Sequence, residues 1–207
     1  PHTKEFLNEL GIMCGKVTKA LQLIPIQTQK RRHLWEMHNA RETLKQYIQW
    51  IDDSSLKSLV SHILDLYNNS LKQVEKGLRW GWIHNDCNDY NVLVSPNLNV
   101  KPSLGLIDFG DMTYSLLAAE PAVACAYAML NKTEPIEAAV HLISGFHKIF
   151  PLEEKEIEIL YPMILVRLCL SVTLASFQQH KDPENTYLGI SQKPVRKLLK
   201  NLQNHNV

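Results

Sequence analysis

Acidic and amide residues crowd into two short stretches of the chain, each set against an apolar run. The first is His84-Asn-Asp-Cys-Asn-Asp-Tyr-Asn91, between Trp82-Ile83 and Val92-Leu-Val94. The second is Asp108-Phe-Gly-Asp111, directly after Leu104-Gly-Leu-Ile107. Asp86 follows an apolar run, a rigid platform from which a carboxylate can take a proton from an attacking hydroxyl. Asn91 stands where the chain re-enters a strand, and its amide oxygen is a neutral, hard ligand suited to Mg²⁺. Asp108 closes the second apolar run. If the two runs pair as a hairpin, Asp108 comes beside Asn91 and the two share one cation. A base for the nucleophile and a metal that neutralises phosphate charge are the division of labour of phosphoryl transfer. Asp and Asn also crowd ordinary turns, because they bond their own backbone. The specific signal is the two-part pattern, H-x-D-x-x-x-x-N, then an apolar strand, then I-D-F-G.

The elements that must hold these loops are mostly helical. Thr3 to Leu23 carries apolar residues at helical spacing, with Thr3 as N-cap and Pro25 as terminator. Arg32 to Trp50 reads as one amphipathic helix. A longer helix follows the cap cluster Asp52-Asp-Ser-Ser55 and stops at Gly77 or Gly81. Val92–Val94 and Leu104–Ile107 are short apolar strands joined by a turn at Ser95-Pro-Asn-Leu-Asn99. Beyond Asp111, Ala118 to Leu130 is apolar nearly all round and belongs in the centre. Pro135 suits the first turn of a helix to about Phe150. The acids after Pro151 open another, which Pro162 is expected to break or kink. Met163 to His180 and Ser191 to Leu202 are the last helices. The expected fold is mainly α with a small antiparallel β-hairpin, in a single domain over 1–207.

Composition narrows the function. Lys+Arg number 22 and Asp+Glu 21, a net charge of +1, so no basic face is concentrated enough for a nucleic-acid partner. No membrane span is expected, because the longest apolar region, Ile157 to Ala175, contains Glu158, Pro162 and Arg167. The start is polar and carries no secretion pattern. The four cysteines form no CxxC pair or zinc spacing, which suits reduced thiols and a cytoplasmic location. The chain opens on Pro1 and enters helical sequence almost at once, so a longer natural polypeptide is expected.

His84 to Asn91 and Ile107-Asp-Phe-Gly-Asp111 resemble the catalytic and metal loops of the aminoglycoside phosphotransferase and choline kinase group, relatives of protein kinases. Asn85, Asn88-Asp-Tyr90, Gly110-Asp-Met112, Glu120, Tyr127-Ala-Met-Leu130 and Arg167-Leu168 make the hydroxylysine kinase branch the nearer likeness, together with kinase domains fused to class III aminotransferases. The resemblance runs over nearly the whole chain. It implies Asp86 as base and Asn91 and Asp108 as Mg²⁺ ligands, with ATP or GTP as donor. His84, Asn88 and Glu120 would support the catalytic loop, and Asp111 or Asp89 would contact the substrate or the metal. The implied acceptor is a small cationic hydroxyl compound, hydroxylysine first, with homoserine, choline, ethanolamine or an aminoglycoside as alternatives.

One departure matters. No Gly-rich loop precedes the catalytic loop, which comes too early to leave room for a small β lobe. The expectation is therefore the C-terminal (large) lobe of a protein-kinase-like fold, a poor kinase alone and continuous in nature with an N-terminal lobe, and with an aminotransferase domain as a further possibility. Two other readings stand beside it. One is a degenerate kinase fold used for binding or scaffolding. The other is a metal hydrolase built on His33, His38, His141 and His147, none of which has an H-x-x-x-H spacing.

Overall fold

The computed structural model describes residues 3–25, 33–95, 103–185 and 192–202. Helix α1 (Lys4–Leu21) starts where the Thr3 side chain accepts the Phe6 N–H, and it buries Leu7, Leu10, Met13, Cys14 and Leu21. Its main partner is α5 (Pro135–Ile149), which has Pro135 in its first turn. The contact is backbone on backbone. A Cβ on Gly11 would lie 1.9 Å from the Leu142 carbonyl oxygen, and one on Gly145 would lie 2.0 Å from that of Asn8.

The segment expected as one helix from Arg32 to Trp50 is not one. Arg32 lies outside the described residues. His33 to Glu36 form a turn, Met37–Asn39 a 3₁₀ turn, and only Ala40–Tyr47 is α-helix, α2. Helical spacing is overridden because His33 and Trp35 are drawn to partners elsewhere, described below. Helix α3 (Ser54–Val74) is capped by Asp53, which accepts the Ser55 and Leu56 N–H groups, and a 3₁₀ turn ends at Gly77 as expected.

Two small antiparallel sheets carry the loops. The expected hairpin is present: β2 (Val92–Val94) pairs with β3 (Leu104–Leu106), Val92 opposite Leu106 and Val94 opposite Leu104. Most of its connecting turn, 96–102, lies outside the described residues. A second pair joins β1 (Trp80–Ile83) to β4 (Thr113–Leu116), Trp80 opposite Leu116 and Ile83 opposite Thr113. Strand β4 is an addition to the expected pattern.

Helix α4 (Ala119–Ala128) is buried on all sides and contacts α1, α5 and α6. Helix α6 runs unbroken from Glu154 to Lys181, which corrects the break expected at Pro162. A proline removes one helical hydrogen bond. Here the residues around it, Ile159, Leu160, Met163 and Ile164, are all buried, and their packing holds the helix through the gap. By length and apolarity α6 could cross a membrane, but 83% of its most apolar stretch is buried, and it is the core helix against α2, α3, α4 and α7 (Gln192–Leu202).

Candidate active site

The loop from β1 to β2 is fixed first by His84. The Asp86 N–H donates to His84 Nδ1 at 3.2 Å, so that nitrogen is unprotonated and the proton sits on Nε2. Nε2 then donates to the Ile107 carbonyl at 3.0 Å, tying the loop to the end of the hairpin. The Phe109 ring meets the imidazole edge-on, with centroids 4.7 Å apart.

Asn85 is next, in left-handed backbone at φ 68°. Its N–H donates to Glu120 Oε2 at 3.0 Å, and its side-chain amide donates to the Asp111 carbonyl at 3.4 Å. Glu120 comes from the first turn of α4 and is fully buried. Burial pushes its carboxyl up, against the pull of the Asn85 N–H.

Asp86 is held on both oxygens. Asn88 Nδ2 donates to Oδ2 at 3.0 Å, Asn91 Nδ2 donates to Oδ2 at 2.8 Å, and Arg167 Nη2 donates to Oδ1 at 3.2 Å. The side chain is 21% exposed. Burial raises its pKa, Arg167 opposes that rise, and Asp111 adds to it. A partly desolvated carboxylate with one open edge has the properties of a general base.

Asn91 is buried, and its amide nitrogen also reaches the Asp86 carbonyl at 2.9 Å. A carboxylate can only accept, so the amide oxygen is the end turned away from Asp86. The hairpin register continues one step past β2 and β3: the Ile107 N–H donates to the Asn91 carbonyl at 3.0 Å, so Ile107 stands opposite Asn91 and Asp108 follows one residue on. Asp108 is exposed and left-handed at φ 62°, and its carboxylate accepts the Gly110 N–H at 3.1 Å. An Asn amide oxygen and an exposed carboxylate fit Mg²⁺, which takes few protein ligands and leaves room for phosphate.

The remaining acids part company. Asp111 Oδ1 lies 3.0 Å from His33 Nε2. Asp89 is exposed and lines a different hollow with Asn88, Phe6, Leu10 and Tyr127, which neither Asp108 nor Asp111 lines. Cys87 is buried with its sulfur 3.3 Å from that of Cys14 on α1, and this contact, with burial second, pushes its thiol up. The four histidines weighed as metal ligands are dispersed. His33 meets Asp111, His38 packs on Trp80, His141 lies near Glu137, and His147 accepts the Leu152 N–H. Among the described residues no three His, Cys, Asp or Glu side chains converge on a metal position.

Residue-type reasoning passed over Arg167, Trp35 and Tyr127 as members of the site. The signal was a single arginine in a long apolar helix, which a fold buries only against partners.

A helical body thus presents the Asp86 loop beside an acidic turn at the end of a hairpin. The chain belongs to the phosphotransferase enzyme family, whose profile matches residues 2–152. Hydroxylysine kinase from Danio rerio is 29% identical over 195 residues, 89% of this chain and 55% of the relative. The Mus musculus hydroxylysine kinase is 27% identical over 206 residues, 95% and 54%. This chain thus spans about half the length of the curated relatives it matches. Among solved structures, a microcompartment-associated aminopropanol kinase superposes with a TM-score of 0.73 at 18% identity, over 98% of this chain and 63% of that one. Amicoumacin kinase, solved with AMP-PNP, Ca²⁺ and its ligand, superposes with a TM-score of 0.63 at 14% identity, over 97% and 60%.

Proposed function

We propose that this chain is the large, C-terminal lobe of a small-molecule kinase that moves the γ-phosphoryl group of ATP or GTP to the hydroxyl of an amino alcohol or hydroxy amino acid, with hydroxylysine the first candidate. The observation that carries the reading is Asp86: a partly exposed carboxylate, raised by burial, bonded to the same Asn91 whose carbonyl pairs with Ile107, the residue before Asp108. Asp86 accepts the proton of the acceptor hydroxyl. Asn91 and Asp108 hold Mg²⁺, which when bound neutralises charge on the transferring group. His84 keeps the two loops in register, Asn88 orients the base, and Glu120 anchors the backbone before it. Asp111 faces the acceptor's ammonium once His33 gives way.

The lobe reading is supported by length, since the curated relatives are nearly twice as long, and by surface. Leu93, Val94, Ile107 and Phe109 are exposed apolar side chains on the hairpin and the adjoining turn. A nucleotide-covering lobe would close over them.

The test is an assay of the full natural polypeptide that contains this chain. Hydroxylysine, homoserine, ethanolamine, choline and kanamycin are offered with Mg²⁺ and ATP or GTP, beside an Asp86→Asn variant. Transfer to one acceptor, reduced about 10²- to 10⁴-fold in kcat by the variant, is the expected result. A folded protein that binds no Mg²⁺-nucleotide and phosphorylates nothing overturns the reading in favour of a binding scaffold.

A further inference from the structure

Arg167 is the one charged side chain in the stretch of α6 from Met163 to Leu174, and it is 1% exposed. Its neighbours on the helix are apolar core residues, and a methionine or leucine would occupy similar space without desolvating a charge. A guanidinium adds a planar fork whose two arms can serve different parts of the fold. Nη1 donates to the Trp35 carbonyl at 3.2 Å, and Nη2 donates to Asp86 Oδ1 at 3.2 Å and to the Tyr127 hydroxyl at 3.3 Å. Its Cζ lies 4.7 Å from the Trp35 ring centroid and 5.5 Å from that of Tyr127.

We propose that Arg167 is the positioning residue of the base: from the core helix it fixes the Asp86 carboxylate, and with it the turn carrying Trp35, in the orientation that receives the acceptor hydroxyl. The assignment rests on the kinase reading above. An ionised carboxylate offers about four acceptor positions. Asn88 and Asn91 take two on Oδ2 and Arg167 takes one on Oδ1, which leaves one on Oδ1 for the incoming hydroxyl. Without Arg167 the carboxylate is held on one oxygen only and can swing about its Cβ–Cγ bond. Burial keeps Arg167 from touching phosphate or acceptor itself. The same fork explains why His33 to Glu36 leave the helical path: the Trp35 carbonyl is the acceptor for Nη1, a bond that a carbonyl inside a regular helix would give to its own helix.

The experiment compares Arg167→Met and Arg167→Lys with the native full-length protein, after circular dichroism and thermal unfolding confirm that each is folded. Arg167→Met should lower kcat about a hundredfold, the scale of a misplaced reacting group, while KM for nucleotide and acceptor stays within about threefold. Arg167→Lys should recover part of that loss, since it restores charge to one arm of the fork. A kcat for Arg167→Met within about threefold of native, or a loss carried by KM, overturns the proposal. A second readout does not need turnover. Hydrogen exchange of the Asn88 and Asn91 side-chain amides should quicken about tenfold or more in both variants, with the α4 and α6 backbone amides unchanged. Unchanged side-chain exchange overturns the positioning role. If the native protein transfers no phosphoryl group, the kinase reading has failed and the base-positioning role falls with it, and this exchange measurement then tests only whether Arg167 fixes the Asp86 carboxylate.

Discussion

Glu120 makes no contact with solvent, yet it supplies the acceptor for the Asn85 N–H that begins the loop from β1 to β2. Burial holds its carboxyl above the ordinary value of 4.5, so between that value and the raised one the folded chain binds more protons than the unfolded chain. Stability from this group is complete below about 4.5 and is lost as pH rises through the folded value. Glu120→Gln keeps an oxygen for Asn85 and removes the ionisation. In urea unfolding, the variant should gain on the native protein as pH is raised from about 4.5, and a difference that stays flat would show that Glu120 does not titrate between the two states. Glu120→Ala removes the acceptor as well, and should be less stable than Glu120→Gln by about 1–3 kcal/mol at any pH. Asn85 and Asp108 add a second constraint at this scale: both hold left-handed backbone without being glycine, a conformation that aims Asp108's carboxylate out of the hairpin end toward solvent.

The next scale is that of elements and their joints. Arg79, just before β1, grips the start of α6: Nε reaches Glu156 Oε1 at 3.0 Å and Nη2 reaches Oε2 at 2.6 Å. Glu156 in turn accepts the Glu153 N–H, closing the capping box of that helix. The strand that delivers His84 is therefore clamped to the core helix that delivers Arg167. Arg79→Met should destabilise by about 3 kcal/mol, the low end for leaving a buried charge unpaired, because Arg79 is itself a third exposed. Denaturant titration reads it directly. Most elements here were legible in the sequence, because their signals are local. Thr3 and Asp53 caps, Pro135 at a first turn and the apolar run after Asn91 each act within a few residues. The two acidic loops stood out for the same reason, since each is a short run of Asp and Asn set against an apolar run, and the hairpin between them closes with the Ile107 N–H on the Asn91 carbonyl. What escaped depends on distance. Arg167 and Asp86 are separated by 81 positions, His33 and Asp111 by 78, and no periodicity encodes such pairs. Strand β4 exists because β1 is there to bond it, and α6 passes Pro162 because its neighbours bury the flanking turns.

The molecule as a whole stands on the α1–α5 contact. Gly145→Ala would press a methyl against the Asn8 carbonyl, a backbone atom that cannot turn aside, and should cost about 3 kcal/mol, read as a lowered thermal midpoint. α1 also touches the base loop through Cys14 and Cys87, so the loop rides on this pair. Helices whose backbones meet at glycine can neither slide nor roll past one another. Amide protons of Leu10 to Cys14 and Leu142 to Phe146 should therefore wait for global unfolding before exchanging, while those of the exposed hairpin exchange through small local openings. Any motion that opens or closes the site then belongs to the hairpin side, and α1 with α5 is the fixed frame against which it is measured.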